Sequence, residues 1–259
     1  MSRSPAPLRL LPALLAAVLL LPAAQADDRW QRVEAVRAAV GEAQPQLTGL
    51  ALELPFVAED GSAVNLGISF GASLQAGEYI DSVRVFAPGN PRPEVIDLRY
   101  AGPAPVSVNT RMRLRESQPV FAVATSNQGR RWLAVRDVRV TVSGCLAPSA
   151  SAQQPVMSSP RVAIAGSPAA SQPFTVRAMV SHPMLTGVAA DGSRSEPQLV
   201  RALDIRLAGQ PLLEVRFHSG TAANPYLQAQ LSAPAAGELE FVWEDQQGAQ
   251  LKETRPLSF

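Results

Sequence analysis

Apolar and polar residues alternate along most of this chain, in short runs cut by Gly, Pro, Asn and Asp. One segment differs. Trp30, Val33, Val36 and Val40 recur three or four positions apart, the spacing of one helical face. A short N-terminal helix is therefore predicted, with Asp28 as its N-cap and Gln31 as the reciprocal partner. Gly41 ends it and Pro45 bars its resumption. Beyond it the period is two, and strands are predicted at 50–54, 64–70, 80–86, 95–100, 106–114, 120–125 and 132–142. Turn signals separate them: Glu59-Asp60-Gly61-Ser62, Gly77-Glu78-Tyr79, the stiff loop 88–93 and Asn127-Gln128-Gly129.

Residues 148–160 lose this periodicity and are rich in Ser, Ala, Gln and Pro, a linker composition. Alternation then restarts at 161–165, 174–181, 199–208, 212–217, 227–231 and 239–243. No second helical pattern follows. The expected fold class is all-β, with two β-sandwich modules at 27–147 and 161–259.

The first 26 residues read as an address. Arg3 and Arg9 precede an apolar run at 10–21 broken only by Pro12, and Ala24-Gln25-Ala26 is a small-x-small cleavage site. This pattern is a cleaved secretory signal peptide, too short and wrongly flanked for a membrane span. It implies export, and in a bacterium the periplasm.

Composition narrows the chemistry. With 46% hydrophobic and 17% charged residues, the chain is too apolar to be disordered. A net charge of +1 offers no field to attract nucleic acid or an anionic membrane. One cysteine excludes an intramolecular disulfide and any cysteine cage, and two histidines make a histidine-rich metal site a poor expectation. Phosphate loops and dinucleotide fingerprints are missing, so no cofactor is expected. Gly67-Ile68-Ser69-Phe70-Gly71 fits the string of a serine-hydrolase elbow, but it lies in an alternating run with no helical pattern after it. His182, Met184 and distant His218 offer a sparse copper set, against which stands a strand end with a satisfied imidazole. Asn224-Pro225-Tyr226 is read as a turn whose tyrosine packs at an edge or interface. Arg111, Arg113 and Arg115 alternate as a solvated face, and the Asn90-Pro91-Arg92-Pro93 loop could present Arg92 to an anion.

Two sets of motifs carry a resemblance. Val180-Ser181-His182-Pro183-Met184-Leu185-Thr186-Gly187, Asn224-Pro225-Tyr226-Leu227 and Trp243-Glu244-Asp245 resemble, in order and spacing, the SoxZ subunit of bacterial sulfur oxidation. The first module has Pro55-Phe56-Val57-Ala58-Glu59-Asp60-Gly61, Asn90-Pro91-Arg92-Pro93 and Thr110-Arg111-Met112-Arg113-Leu114. It closes with Val138-Arg139-Val140-Thr141-Val142-Ser143-Gly144-Cys145. That set is similar to SoxY, the subunit that carries sulfur intermediates on one cysteine. The arrangement resembles fused SoxYZ-like carriers associated with quinoprotein dehydrogenases. The resemblance implies two immunoglobulin-like sandwiches that pair, the second covering an exposed sheet of the first and offering docking surface. It implies a non-enzymatic role. The partners would be haem and dinuclear-metal sulfur-oxidation enzymes, or alternatively a quinoprotein dehydrogenase and its cytochrome, for which the protein would be an assembly module.

The resemblance makes Cys145 the covalent carrier of a sulfur anion, with Ser143 and Gly144 as the flanking arm. One departure matters. The family's SoxY ends at its cysteine within a glycine-rich tail, whereas here Leu146 and Ala147 follow and the chain continues. Parity supports exposure, since Cys145 falls opposite Val138, Val140 and Val142 and beside Arg139, Thr141 and Ser143. Two other readings stay open: an inert small hydrophobe at a strand end, and a disulfide joining two chains as a homodimer.

Overall fold

The computed structural model describes residues 28–144, 156–166, 168–188 and 195–259. The leader assigned to 1–26, most of the 148–160 linker and Cys145 lie outside the described residues. The chain opens with a 3-10 turn, Arg29–Arg32, and helix α1, Glu34–Val40. The first half then holds β1 (Leu50–Glu53), β2 (Val57–Asp60), β3 (Val64–Phe70), β4 (Ile80–Phe86), β5 (Glu94–Tyr100), β6 (Ser107–Met112), β7 (Gln118–Ser126) and β8 (Arg131–Val142). The second holds β9 (Ser158–Ala165), β10 (Pro173–Ser181), β11 (Val200–Leu207), β12 (Gln210–Phe217), β13 (Tyr226–Ser232), β14 (Gly237–Asp245) and β15 (Gln250–Leu257). The all-β sandwich expectation holds.

Every predicted strand is present, with ends displaced by a few residues. Two strands were not predicted, and both are sheet edges. β2 carries Glu59 and Asp60, which read as turn residues, yet it pairs in parallel with the end of β8. β15 is polar and contains Lys252 and Pro256, the residues that keep an exposed edge from recruiting other strands. β9 begins at Ser158, inside the segment read as linker. The predicted cap of the helix is also different. Asp28 makes no side-chain capping bond; its carbonyl accepts the Gln31 N–H and its carboxylate lies 3.8 Å from Arg32.

The strands form two sheets. One has the order β1-β3-β6-β13-β10-β9, the other β15-β14-β11-β12-β5-β4-β7-β8-β2. Both run through the boundary between the halves. β6 pairs with β13, Thr110 opposite Leu227, and β5 pairs with β12, Leu98 opposite Val215. The second half therefore does not cover a sheet face of the first, as expected from the resemblance; it joins edge to edge. The physical reason is the strand edge itself. β5 and β6 would otherwise present rows of unpaired N–H and C=O groups, and continuing the ladder satisfies them.

Because both sheets are continuous, so is the core between them. Leu98, Tyr100 and Val108 pack in one buried cluster with Leu213, Val215 and Leu227. A smaller cluster lies on the outside of the larger sheet, where Trp30, Val36 and Val40 cover Phe86, Phe121, Val123 and Leu133. This explains why β7 is apolar at consecutive positions: Val120, Ala122 and Ala124 face the main core and Phe121 and Val123 face the helix.

A shared core predicts shared unfolding. Trp132 of the first half and Trp243 of the second are both fully buried. In variants retaining one of these tryptophans, fluorescence should report the same denaturation midpoint from either half. Leu98→Ala, at the seam, should lower both midpoints together, at a cost of ~2–5 kcal/mol.

Candidate functional site at the end of strand β8

β8 runs out of the core as it ends. Val138 is buried, Val140 half-buried and Val142 61% exposed, although all three share the inner parity. Ser143 is exposed, as its opposite parity predicts, whereas Gly144 is buried. Three backbone hydrogen bonds close a ring at this point. The Gly61 N–H donates to the Val142 carbonyl at 2.8 Å, the Leu114 N–H to the Gly61 carbonyl at 2.8 Å, and the Gly144 N–H to the Leu114 carbonyl at 3.0 Å. The segments at 61 and 114, far apart in sequence, thus hold residues 142–144, which precede Cys145.

Both glycines are required by this close approach. A Cβ at Gly144 would lie 1.9 Å from the Gly61 carbonyl carbon and 2.2 Å from the Ser62 nitrogen. At Gly61 it would lie 2.2 Å from the Leu114 carbonyl oxygen. Gly144 is therefore fixed against Gly61, whereas Ser143, the other residue of the expected flanking arm, is exposed. Side chains lock the surroundings. Thr141 Oγ1 donates to the Glu59 carbonyl at 2.6 Å, and the Val140 N–H donates to Ser117 Oγ at 2.9 Å. Asp60 accepts the Ser62 N–H and hydroxyl, both at 2.7 Å. The Ser62 N–H first, and its hydroxyl second, hold the Asp60 carboxyl below the usual range.

The motifs of both halves converge at this same end. Arg113, expected on a solvated face, has left β6 and is buried, because its guanidinium donates across the seam to the carbonyls of Met184 and Pro183, the latter at 2.8 Å. Its backbone N–H donates to the Gly220 carbonyl at 2.7 Å. Asn90 holds the other side, donating to the Arg113 carbonyl at 2.9 Å and accepting the Arg115 N–H at 3.0 Å. In the second half the Asn224 N–H donates to the His182 carbonyl at 2.7 Å and Asn224 Oδ1 accepts the His182 N–H at 3.0 Å. Arg111 lies 5.9 Å from the Tyr226 ring, so that tyrosine does pack at the junction. A continuous chain of bonds links His182 and Met184, through Arg113 and Leu114, to Gly144.

Two other candidate motifs are taken up by the fold. Residues 67–70 lie inside β3, paired on both sides, so no strand–turn–helix elbow presents Ser69. His182 Nδ1 accepts the Met184 N–H at 3.1 Å and Met184 Sδ accepts the Val200 N–H at 3.2 Å, while His218 Nε2 bonds Asp97 at 3.2 Å. The copper candidates are thus used structurally, and no acid–histidine–cysteine cluster suited to a metal occurs among the described residues. Burial pushes Asp97 up, but His218 and the charge of Arg84 outweigh it and keep the carboxyl below its usual range. Among the described residues no helix is long and apolar enough to cross a membrane.

The model of sulfur oxidation protein SoxY matches residues 36–145, and that of sulphur oxidation protein SoxZ matches residues 162–255. The chain belongs to the SoxY and SoxZ family, with both subunits fused in tandem, and so to the carriers of sulfur oxidation. Members of this kind are carrier or adaptor proteins that work with other sulfur-oxidation proteins. Comparison with curated proteins gave no match. Among solved structures, the sulfur carrier protein SoxY from Chlorobium limicola is 25% identical, covering 42% of this chain and 94% of its own, at a TM-score of 0.35. The superoxide reductase (neelaredoxin) from Ignicoccus hospitalis is 19% identical over 36% of this chain and 80% of its own, at 0.30. Likenesses this distant carry no functional argument.

Sequence reasoning singled out Cys145, Ser143 and Gly144 but missed Gly61 and Leu114 as their supports. The Glu-Asp-Gly turn marked Gly61 as special, yet nothing local joins position 61 to position 144. Gly144→Ala should destabilise the protein by ~1–3 kcal/mol through overpacking, and should speed hydrogen exchange at the Leu114 amide. Asp60, whose folded pKa lies below its unfolded value, stabilises the turn above about pH 4 and loses that effect as pH falls through the folded pKa. The protection factor of the Ser62 amide, which Asp60 accepts directly, should therefore fall below about pH 4, and Asp60→Asn should flatten that dependence.

Proposed function

We propose that the chain holds sulfur-compound intermediates of the thiosulfate type covalently on Cys145, for separate enzymes to load and strip. One observation carries this: the only cysteine follows directly on a glycine gripped by backbone bonds at the open end of a strand. A fixed root offers every partner the same starting point for the residue after it. The thiolate is the reactive form, a few per cent of an unperturbed thiol at neutral pH.

Loading joins the Cys145 sulfur to the outer sulfur of thiosulfate, giving Cys–S–S–SO3−, one proton and two electrons. The electrons pass to a haem acceptor on the partner. Hydrolysis of the terminal S–S bond by a dinuclear-metal partner then leaves Cys–S–SH, sulfate and a proton. Because the chain continues after Cys145, the carrier cysteine lies between Gly144 and β9 in sequence and not at a terminus. We place this work in the periplasm, in keeping with the leader pattern at 1–26. A disulfide between two copies through Cys145 would be a resting form.

The test is intact mass and peptide mapping of protein purified from its own host without reductant. Added sulfur on Cys145 is expected, together with loss of thiosulfate oxidation in Cys145→Ser. A persistently unmodified, alkylation-resistant thiol overturns the reading. An unaffected sulfur phenotype in Cys145→Ser, with intact assembly of a quinoprotein dehydrogenase, would establish the assembly module in its place.

A further inference from the structure

A cleft of about 330 Å³ crosses the seam at the same end of the molecule as Gly144. Arg92 and Glu94 line it from the first half, and Arg201 and His218 from the second, together with the hydroxyl residues Thr186 and Ser219. Its parts are positioned by elements already described. Arg92 sits between Pro91 and Pro93, two residues after Asn90, which is bonded to both neighbours of Leu114. Arg201 stands near the start of β11, and His218 directly follows β12. The His218 ring is oriented by Asp97, which also receives Arg84 at 3.3 Å.

The charge balance of this cleft favours an anion. Among the described residues, neither Arg92 nor Arg201 makes an ion pair. Glu94 offsets one of the two, which leaves an excess of positive charge. Guanidinium forks beside hydroxyl donors suit a tetrahedral oxyanion with several acceptor oxygens. The fit is for a small group, and the arginines come from halves of the chain that only folding brings together.

We propose that this cleft binds the sulfo group of a sulfur oxyanion, either free thiosulfate or the terminal –SO3− of an adduct on Cys145. The tethered source rests on the carrier reading; the free source does not. Because the arginines are solvated and Glu94 opposes them, free-anion affinity should be weak, on the order of a millimolar Kd.

The experiment uses the full mature chain and imidazole NMR, since the chain has two histidines, one lining the cleft and one, His182, buried elsewhere. Thiosulfate added to Cys145→Ser at constant ionic strength should shift the His218 signal saturably, with chloride as the control and His182 as the internal reference. Arg92→Gln combined with Arg201→Gln should weaken the effect at least tenfold while leaving the melting temperature unchanged. For the tethered source, tetrathionate converts the reduced Cys145 thiolate to Cys–S–S–SO3− and releases thiosulfate. After the excess is removed, a shifted His218 signal that free thiosulfate no longer moves identifies the tethered group as occupant. A response to free thiosulfate without one to the adduct identifies the free anion. No saturable shift from either source, or an equal one in the double variant, overturns the proposal. An adduct-free Cys145 in the native host would sink the carrier reading and leave the free-anion titration standing.

Discussion

Backbone pairing across one seam is the constraint on which the rest of this molecule depends. β5 finds β12 and β6 finds β13, so that two short sheets become two long ones. A strand edge in water is tolerable, but a buried edge without partners is not. Each half satisfies the edge of the other, and the apolar faces beneath close into a single core. The functional end is a consequence. Arg113 reaches the Met184 and Pro183 carbonyls only because β6 and β13 deliver those segments to the same place.

That end is built from backbone more than from reactive side chains. A ring of three hydrogen bonds among Gly61, Leu114 and Val142–Gly144 fixes the position of the residue before Cys145. The two glycines are there because the strands come too close for a Cβ, and the same closeness makes the root stiff. On the carrier reading proposed above, a fixed root would let each partner meet the cargo from a defined origin. The second half contributes to this through Arg113, which ties the His182–Met184 segment to the residue that holds Gly144. Fusion of the two subunits keeps that tie within one chain.

Electrostatics at this end is arranged locally. Several acids of the larger sheet are matched with arginines, as Asp97 is with Arg84 and Asp204 with Arg216. Such exposed pairs contribute little to stability. Their effect is to leave the unmatched arginines, Arg92 and Arg201 among them, as the charges an approaching anion meets.

Alternation, turn residues and the helical spacing of Trp30 to Val40 determined the element types, because periods of two and 3.6 are properties of local backbone geometry. The lone cysteine and its neighbours were equally legible, as were the motifs at 180–187 and 224–227. The polar edge strands β2 and β15 were not, since an edge strand is chosen by its neighbour's free hydrogen bonds and not by its own pattern. Arg113 shows the same limit: its alternation with Arg111 and Arg115 suggests a solvated face, and only the arrival of residues 183 and 184 from the other half buries it. The joining of the halves edge to edge, the glycine contact between positions 61 and 144, and the meeting of Arg92 with Arg201 were all decided by tertiary structure. Each depends on distances between residues far apart in sequence, which no local period encodes.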